Sequence, residues 1–349
     1  KLILVEPRRI AARAAAERMA ATLGERVGQT IGLRSRLDVR TSKGSRIEVV
    51  TEGVFSRMIL SDPALEGIAG VIFDEFHERS LDADEGLAFA LDAQGVLRDD
   101  LRIVLMSATL PGNLTQDFFA APVIESLGRA WPVETRYLGY EPRQRLEDQV
   151  AAAIRKALYE GDGSILAFLP GVAEIQRTVD RIGPVADNVH ITPLYGALTP
   201  QEQNEAIAPV AKGMRKVVVA TDVAESAVTI EGVRVVVDCG FARVPRFDPG
   251  LGASRLETVR VAVANADQRR GRAGRTGPGV CYRQRREAEM RGFAASPSPE
   301  IDNADLTGLA LDMARWGAKS PADLRWLNPP REAAWRHARN ILTNGGAMG

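Results

Sequence analysis

Ten residues, Gly70-Val71-Ile72-Phe73-Asp74-Glu75-Phe76-His77-Glu78-Arg79, carry an apolar run that ends on two adjacent carboxylates. The run is β-branched and aromatic, too short for a helix and suited to a buried strand. Acids at the C-terminal tip of such a strand stand where open parallel sheets bind their ligands. One carboxylate there can hold Mg²⁺ through its water shell, and its neighbour can orient or deprotonate a water that attacks a γ-phosphate. His77 adds a titratable contact. The plainer alternative is that Asp74 and Glu75 only cap the helix that follows.

The same pattern repeats on both sides. Apolar runs at residues 2–5, 47–50, 71–73 and 103–106, then at 165–168, 217–220 and 233–237, alternate with helical spacing at 11–23, 146–158 and 174–182. Continuous apolar strands separated by amphipathic helices predict parallel sheets covered on both faces, an α/β protein. The periodicity breaks between Arg129 and Pro142, where Trp131-Pro132 and Glu141-Pro142 intervene, and a second strand-helix series follows. Past Pro297 and Pro299 the strands stop. A helical stretch at 306–316 and a Trp-containing segment run to Pro329-Pro330, ahead of a Gly-rich tail.

At 349 residues the chain has room for two domains and part of a third. Acidic and basic residues are equal at 45 each, so a phosphate or nucleic-acid site has to be a local concentration of charge. Arginine makes up 39 of those 45 basic residues, which suits bidentate phosphate contacts but is equally what a biased base composition produces. Two cysteines without metal-ligand spacing argue against zinc and for a reducing, cytoplasmic setting. No apolar run approaches a membrane span. Lys1 to Val5 resemble a signal-peptide core, but Glu6-Pro7-Arg8-Arg9 occupies the place of a cleavage site, so they read as a buried strand. A chain that opens inside a strand, without Met, is expected to be a fragment.

A second cluster is Gln268-Arg269-Arg270-Gly271-Arg272-Ala273-Gly274-Arg275. On a continuous helix Arg269, Arg272 and Arg275 would share one face, with Gly271 and Gly274 thinning it so that a phosphate or a second backbone comes close. Guanidinium groups so held can neutralise charge on transferred phosphoryl oxygens, or can simply form a solvated basic helix. The acids and the arginines lie in different predicted domains, so a site built from both would be completed by domain closure.

Seven stretches, in order, now carry a resemblance: Glu6-Pro7-Arg8-Arg9, Thr51-Glu52-Gly53, Asp74-Glu75-Phe76-His77, Ser107-Ala108-Thr109, Phe168-Leu169-Pro170-Gly171, Ala220-Thr221-Asp222-Val223-Ala224-Glu225-Ser226 and Gln268 to Arg275. The series resembles the motifs of the DEAH-box RNA helicases of superfamily 2. The Phe after Asp-Glu, the run Arg243 to Pro249 and Trp326-Leu327-Asn328-Pro329-Pro330 are similar to the bacterial HrpB-type branch.

The resemblance implies two tandem RecA-like parallel-sheet domains, 1–132 (lacking its phosphate loop) and 133–296, followed over 297–349 by the start of a helical winged-helix or ratchet-type domain and a loose tail. It implies an ATP-dependent motor moving 3′ to 5′ on single-stranded RNA or DNA, with ATP and Mg²⁺ as cofactors. In it Asp74 would contact Mg²⁺, Glu75 would be the base or water-orienting group, and His77 would link the nucleotide site to the neighbouring domain. Gln268 would approach the γ-phosphate, with Arg272 and Arg275 as arginine fingers. Arg18 and Phe241 would sandwich the adenine, unless Arg18 is an ordinary exposed helix residue and Phe241 ordinary core. Arg8, Arg9, Arg36, Thr51, Gly53, Thr221 and Thr229 would hold the nucleic-acid backbone, and Ser107 and Thr109 would transmit the nucleotide state. Any of these hydroxyls could instead cap a helix or close a turn.

Three departures qualify the match. No Gly-Lys-Ser or Gly-Lys-Thr occurs in residues 1–349, so the chain alone is expected to bind ATP poorly and turn over little or none. Asp222 stands where the family has Asn, adding negative charge, and Ser226-Ala227 stands for a Thr-Ser pair, removing a hydroxyl. Two other readings remain open: a nucleotide-independent nucleic-acid-binding module, and a translocase acting on duplex DNA.

Overall fold

The computed structural model describes residues 1–108, 118, 121–126, 128, 130–226 and 229–347. They form two compact units, one made of Lys1–Ile124, Pro245–Arg255 and Ser298–Gly349, the other of Glu125–Val244 and Leu256–Pro297. The first unit holds a six-stranded sheet of β1 (Leu2–Glu6), β2 (Ile31–Arg34), β3 (Val39–Arg40), β4 (Ile47–Thr51), β5 (Gly70–Phe73) and β6 (Arg102–Leu105) in the order β3-β2-β4-β1-β5-β6. All neighbours are parallel except the β2–β3 pair. Alternation sends Leu4, Ile31, Leu33 and Val49 to one face, where Ala12, Ala16 and Ala20 of α1 (Arg9–Thr22) form a small-residue stripe at helical spacing. Ile3, Val5, Val50, Val71 and Phe73 point to the other face, under α2 (Glu52–Ser61) and α3 (Leu81–Val96).

The second unit repeats the plan. Its sheet is fully parallel, ordered β7-β14-β11-β8-β10-β9, from β7 (Val133–Tyr137), β8 (Ser164–Phe168), β9 (Val189–Leu194), β10 (Arg215–Ala220), β11 (Val233–Asp238) and β14 (Gly279–Arg283). Helices α4 (Leu146–Glu160) and α5 (Val172–Ile182) cover one face, with Val150, Ile154 and Ile175 against Ile165, Val217, Val219 and Val237. Helix α6 (Pro200–Ile207) begins in a capping box in which Thr199 and Glu202 satisfy each other's amides. Helix α7 (Val263–Gly271) packs on β11, and α8 (Glu287–Met290) is a single turn. A two-stranded sheet, β12 (Phe241–Asp248) with β13 (Ala253–Arg260), has its middle residues 245–255 counted in the first unit.

The chain ends in α9 (Thr307–Trp316) and α10 (Glu332–Asn344). Ile301, Leu309, Met313, Trp326 and Trp335 from this last segment share one continuous core with Phe55, Phe73 and Phe89. Trp316 stacks on Phe89 with ring centroids 4.6 Å apart and donates Nε1–H to Asp92 at 2.8 Å. Among the described residues, no helix is long and apolar enough to cross a membrane.

Candidate functional site

The motifs gather at strand tips because parallel strands all end on the same edge. In the first unit Glu6, Thr51, Asp74 and Ser107 end or follow β1, β4, β5 and β6. Val5 is paired with Phe73, and the Asp74 amide donates to the Val5 carbonyl at 2.9 Å. The chain then leaves the sheet through Glu75 in the left-handed region (φ 48°), a 3₁₀ turn over Phe76–Glu78, and left-handed Arg79 (φ 50°). Each such residue costs roughly 1–2 kcal/mol without glycine's freedom, and persists where its surroundings over-determine it. Here the Phe76 amide donates to Met106 O at 3.0 Å, the Phe76 ring is fully buried, and the Glu78 amide returns to Glu75 O at 2.9 Å.

The two acids are not the cap of α3: that role belongs to Ser80, whose side chain accepts the Ala83 amide. Asp74 instead spends one carboxylate oxygen on the Glu75 amide at 2.7 Å, and Glu75 Oε2 lies 3.5 Å from His77 Nδ1. Burial raises the Asp74 carboxyl, an effect that the Glu75 amide and His77 partly offset. Glu6, only 4% exposed, is pushed up to about 8 by burial and by the charges of Asp74, Glu75 and Glu78. The donor set suits a cation that keeps most of its waters: Asp74 has an oxygen to spare, and no group of three or more His, Cys, Asp or Glu among the described residues forms an all-protein cage. Mg²⁺ is characteristically bound this way, through one or two carboxylates together with substrate phosphates.

Around this turn, Arg8 donates to Glu78 at 3.3 and 3.2 Å, so its guanidinium is already shared with the acidic motif. Arg9 and Arg36 are exposed. Thr51 is the N-cap of α2 in extended conformation, and no side-chain cap bond is made there. The next residue, Glu52, accepts the Ser80 hydroxyl at 2.7 Å and is raised to about 8 by burial. A Cβ on Gly53 would lie 2.9 Å from Asp82 Oδ2, the end of a side chain that can turn aside. Arg18 is exposed on α1, and Ser107 is half-buried. Thr109 and Ala227 lie outside the described residues.

In the second unit the arginine cluster is not one continuous helical face. Helix α7 stops at Gly271 and the chain tightens into a 3₁₀ turn over Arg272–Gly274. Arg269 is turned fully inward: Nε donates to Glu225 at 3.0 Å, Nη1 to Asp238 at 2.8 Å, and the guanidinium lies 4.9 Å from the centre of the Phe168 ring. Burial opposes its charge, but Glu225 and Asp238 outweigh that and hold its pKa above the ordinary value. Arg272 is buried and donates to the Glu225 carbonyl, exposed Arg275 donates to the Thr229 hydroxyl, and Gln268 is half-buried. The glycines divide their work. A Cβ on Gly274 would sit 2.6 Å from the Trp131 carbonyl, whereas one on Gly271 would meet nothing within 4 Å.

Thr221 accepts the Val223 amide at 3.4 Å and so caps the 3₁₀ turn over Asp222–Ala224. Phe241 is half-buried, with the Arg285 guanidinium 4.0 Å from its ring centre and Tyr140 meeting it edge-on at 5.6 Å. A base can therefore stack at most on the ring's other face. In the sequence Glu6 and Glu225 stand inside the motif stretches without a role of their own, and Asp238 and Arg285 are not singled out. Asp238 had the same signal as Asp74, an acid closing an aliphatic strand, Val233 to Val237.

Residues 149–277 match the model of the helicase conserved C-terminal domain. The chain is 47% identical to the ATP-dependent RNA helicase HrpB of Escherichia coli (strain K12), over 100% of this chain and 43% of that protein. It is 36% identical to the pre-mRNA-splicing factor ATP-dependent RNA helicase prp22 of Schizosaccharomyces pombe, over 93% of this chain and 28% of that protein. A crystal structure of the E. coli DEAH/RHA helicase HrpB superposes with a TM-score of 0.95 at 47% identity, covering 100% of this chain and 45% of that one. Over its whole length the chain is thus similar to DEAH-box RNA helicases, and to HrpB among them. It spans less than half the length of the E. coli protein.

Proposed function

We propose that this chain is the motor part of an ATP-dependent RNA helicase or translocase. The observation that carries the reading is the acidic turn, whose strained backbone aims Asp74 and Glu75 from the binding edge of a parallel sheet. The motor is divided into RecA-like domains at 1–132 and 133–296, with 297–349, although built into the core of the first unit, beginning a winged-helix-type domain, and works in the cytoplasm. HrpB and prp22 are both named as RNA helicases, which favours RNA over DNA as the track; a single strand and movement 3′ to 5′ are what the family resemblance implies.

Mg²⁺, held at Asp74 and by the phosphates, would neutralise charge on the bridging oxygens. Glu75 orients the attacking water and takes its proton, with His77 beside it. Gln268 contacts the γ-phosphate and water, and Arg272 and Arg275 offset charge on the transferred oxygens. Arg18 and the open face of Phe241 hold the base. Arg8, Arg9, Arg36, Thr51, Gly53, Thr221 and Thr229 track the RNA backbone, and Ser107 with Thr109 relays the nucleotide state.

Residues 1–349 contain no G-x-x-x-x-G-K-[ST] loop, so the reading requires that loop from outside them. The test is RNA-stimulated ATP hydrolysis by a protein in which this chain follows a strand, phosphate loop and helix. Glu75→Gln in that protein should cut turnover by about 100-fold or more while ATP binding persists. Turnover that survives the change removes Glu75 from its role. Stimulation by duplex DNA alone would reject RNA as the track.

A further inference from the structure

The run Trp326-Leu327-Asn328-Pro329-Pro330 has no part in the function proposed above, yet it reaches the acidic turn. Arg79, the left-handed residue that closes that turn, is buried and donates Nε and Nη2 to the two oxygens of Asp84 at 3.0 and 3.1 Å. Its Nη2 also donates to Asn328 Oδ1 at 2.8 Å. The main chain of the same residue is held from the same distant segment: the Glu300 amide donates to the Arg79 carbonyl at 3.0 Å, and Glu300 Oε2 accepts the Leu81 amide at 2.9 Å.

Asn328 is itself well fixed. Trp326 is buried in the core with its Nε1–H on the Pro321 carbonyl, and two prolines follow whose φ cannot vary. Asp84 ties Arg79 only to α3, its own neighbour in sequence. Asn328 and Glu300 tie it to a segment more than 200 residues away.

We propose that Asn328 is a positioning residue for the acidic turn: by holding the Arg79 guanidinium it keeps residue 79 left-handed and so sets where Glu75 stands. A turn with a strained residue at each end relaxes when one of its external holds is removed. The helical segment thereby has a direct handle on the acid pair. This inference rests on the assignment of Glu75 to water activation, so its test has one arm that does not involve catalysis.

The first arm is hydrogen exchange on the 349-residue chain. Asn328→Ala should speed exchange of the amides of residues 76–81 by about tenfold, the loss expected for a hydrogen bond to a charged group, and leave β1 and β4 unchanged. Asn328→Asp, which keeps the acceptor oxygen, should restore protection. No change at 76–81, or an equal rise throughout the first unit, overturns the proposal; the second result would make Asn328 a simple staple of the fold.

The second arm is steady-state ATP hydrolysis by the phosphate-loop-bearing protein. Asn328→Ala should lower kcat about tenfold with KM for ATP unchanged, and Asn328→Asp should recover it. An unchanged kcat breaks the link from the turn to the chemistry and overturns the proposal. If the parent shows no turnover, the function proposed above fails, and the hold on Arg79 is judged on exchange alone.

Discussion

Glu6 closes a strand of aliphatic residues and is buried beside four other acids, Asp74, Glu75, Glu78 and Glu52, so its environment favours the neutral form. Its ordinary value of 4.5 is raised to about 8 in the fold. Between those two values the folded protein keeps a proton that the unfolded chain has released, so stability falls as pH rises through this window and levels off above it. Glu52 and Glu85, both also raised to about 8 by burial, act in the same direction. Glu6→Gln should therefore be nearly neutral at about pH 5 and stabilising, on the order of a few kcal/mol, at about pH 8.5. Urea unfolding at the two pH values checks this, and an equal effect at both would dismiss a neutral Glu6. Arginines 269, 272 and 275 look alike in sequence, three apart beside glycines. Arg269 and Arg272 are both buried, and what separates them is the partner: Arg269 pairs with the carboxylates of Glu225 and Asp238, whereas Arg272 donates to the Glu225 carbonyl and Arg275 stays exposed.

Elements were legible in proportion to their periodicity. The alanine stripe of α1 and the one-sided α5 announce themselves, with Ile175, Thr178 and Ile182 inward. Helix α3 does not, because Ala83 through Leu91 are buried without interruption and leave no polar face to mark a period. Strand β9 contains Pro193, tolerable because β9 is the edge of its sheet. Among the described residues strand β6 edges the other sheet; it pairs with β5, and its Val104 and the following Met106 are 46% and 38% exposed. An apolar edge of this kind invites pairing between chains. Val104→Lys should lower concentration-dependent association of the 349-residue chain, read by light scattering, without changing its far-ultraviolet dichroism. Unchanged or greater association would show that β6 is not the sticky edge.

The whole molecule is two units, and the first is assembled from distant stretches of chain. Trp326, Trp335, Met313 and Leu309 enter the core that also holds Phe55, Phe73 and Phe89. Each large apolar side chain withdrawn from such a core costs roughly 1.5–3 kcal/mol. A chain ending at residue 297 should consequently lose several kcal/mol in the first unit, seen as faster hydrogen exchange in β1 and β5, while β8 and β11 of the second unit keep their protection. Equal protection of β1 and β5 in the shortened chain would mean that the last segment adds little to that core.

The α/β class, the strand tips that bear the motifs and the acid pair at 74–75 follow from the sequence alone. They depend on period, run length and the residue that ends a run, all of which are local. Tertiary structure alone decided which arginine pairs with buried carboxylates, which glutamates are pushed toward the neutral form, what caps α3, and that Asn328 reaches Arg79. Each of these depends on burial and on pairings between residues from a few to some 250 positions apart, and dielectric environment and long-range contact leave no periodic trace along the chain.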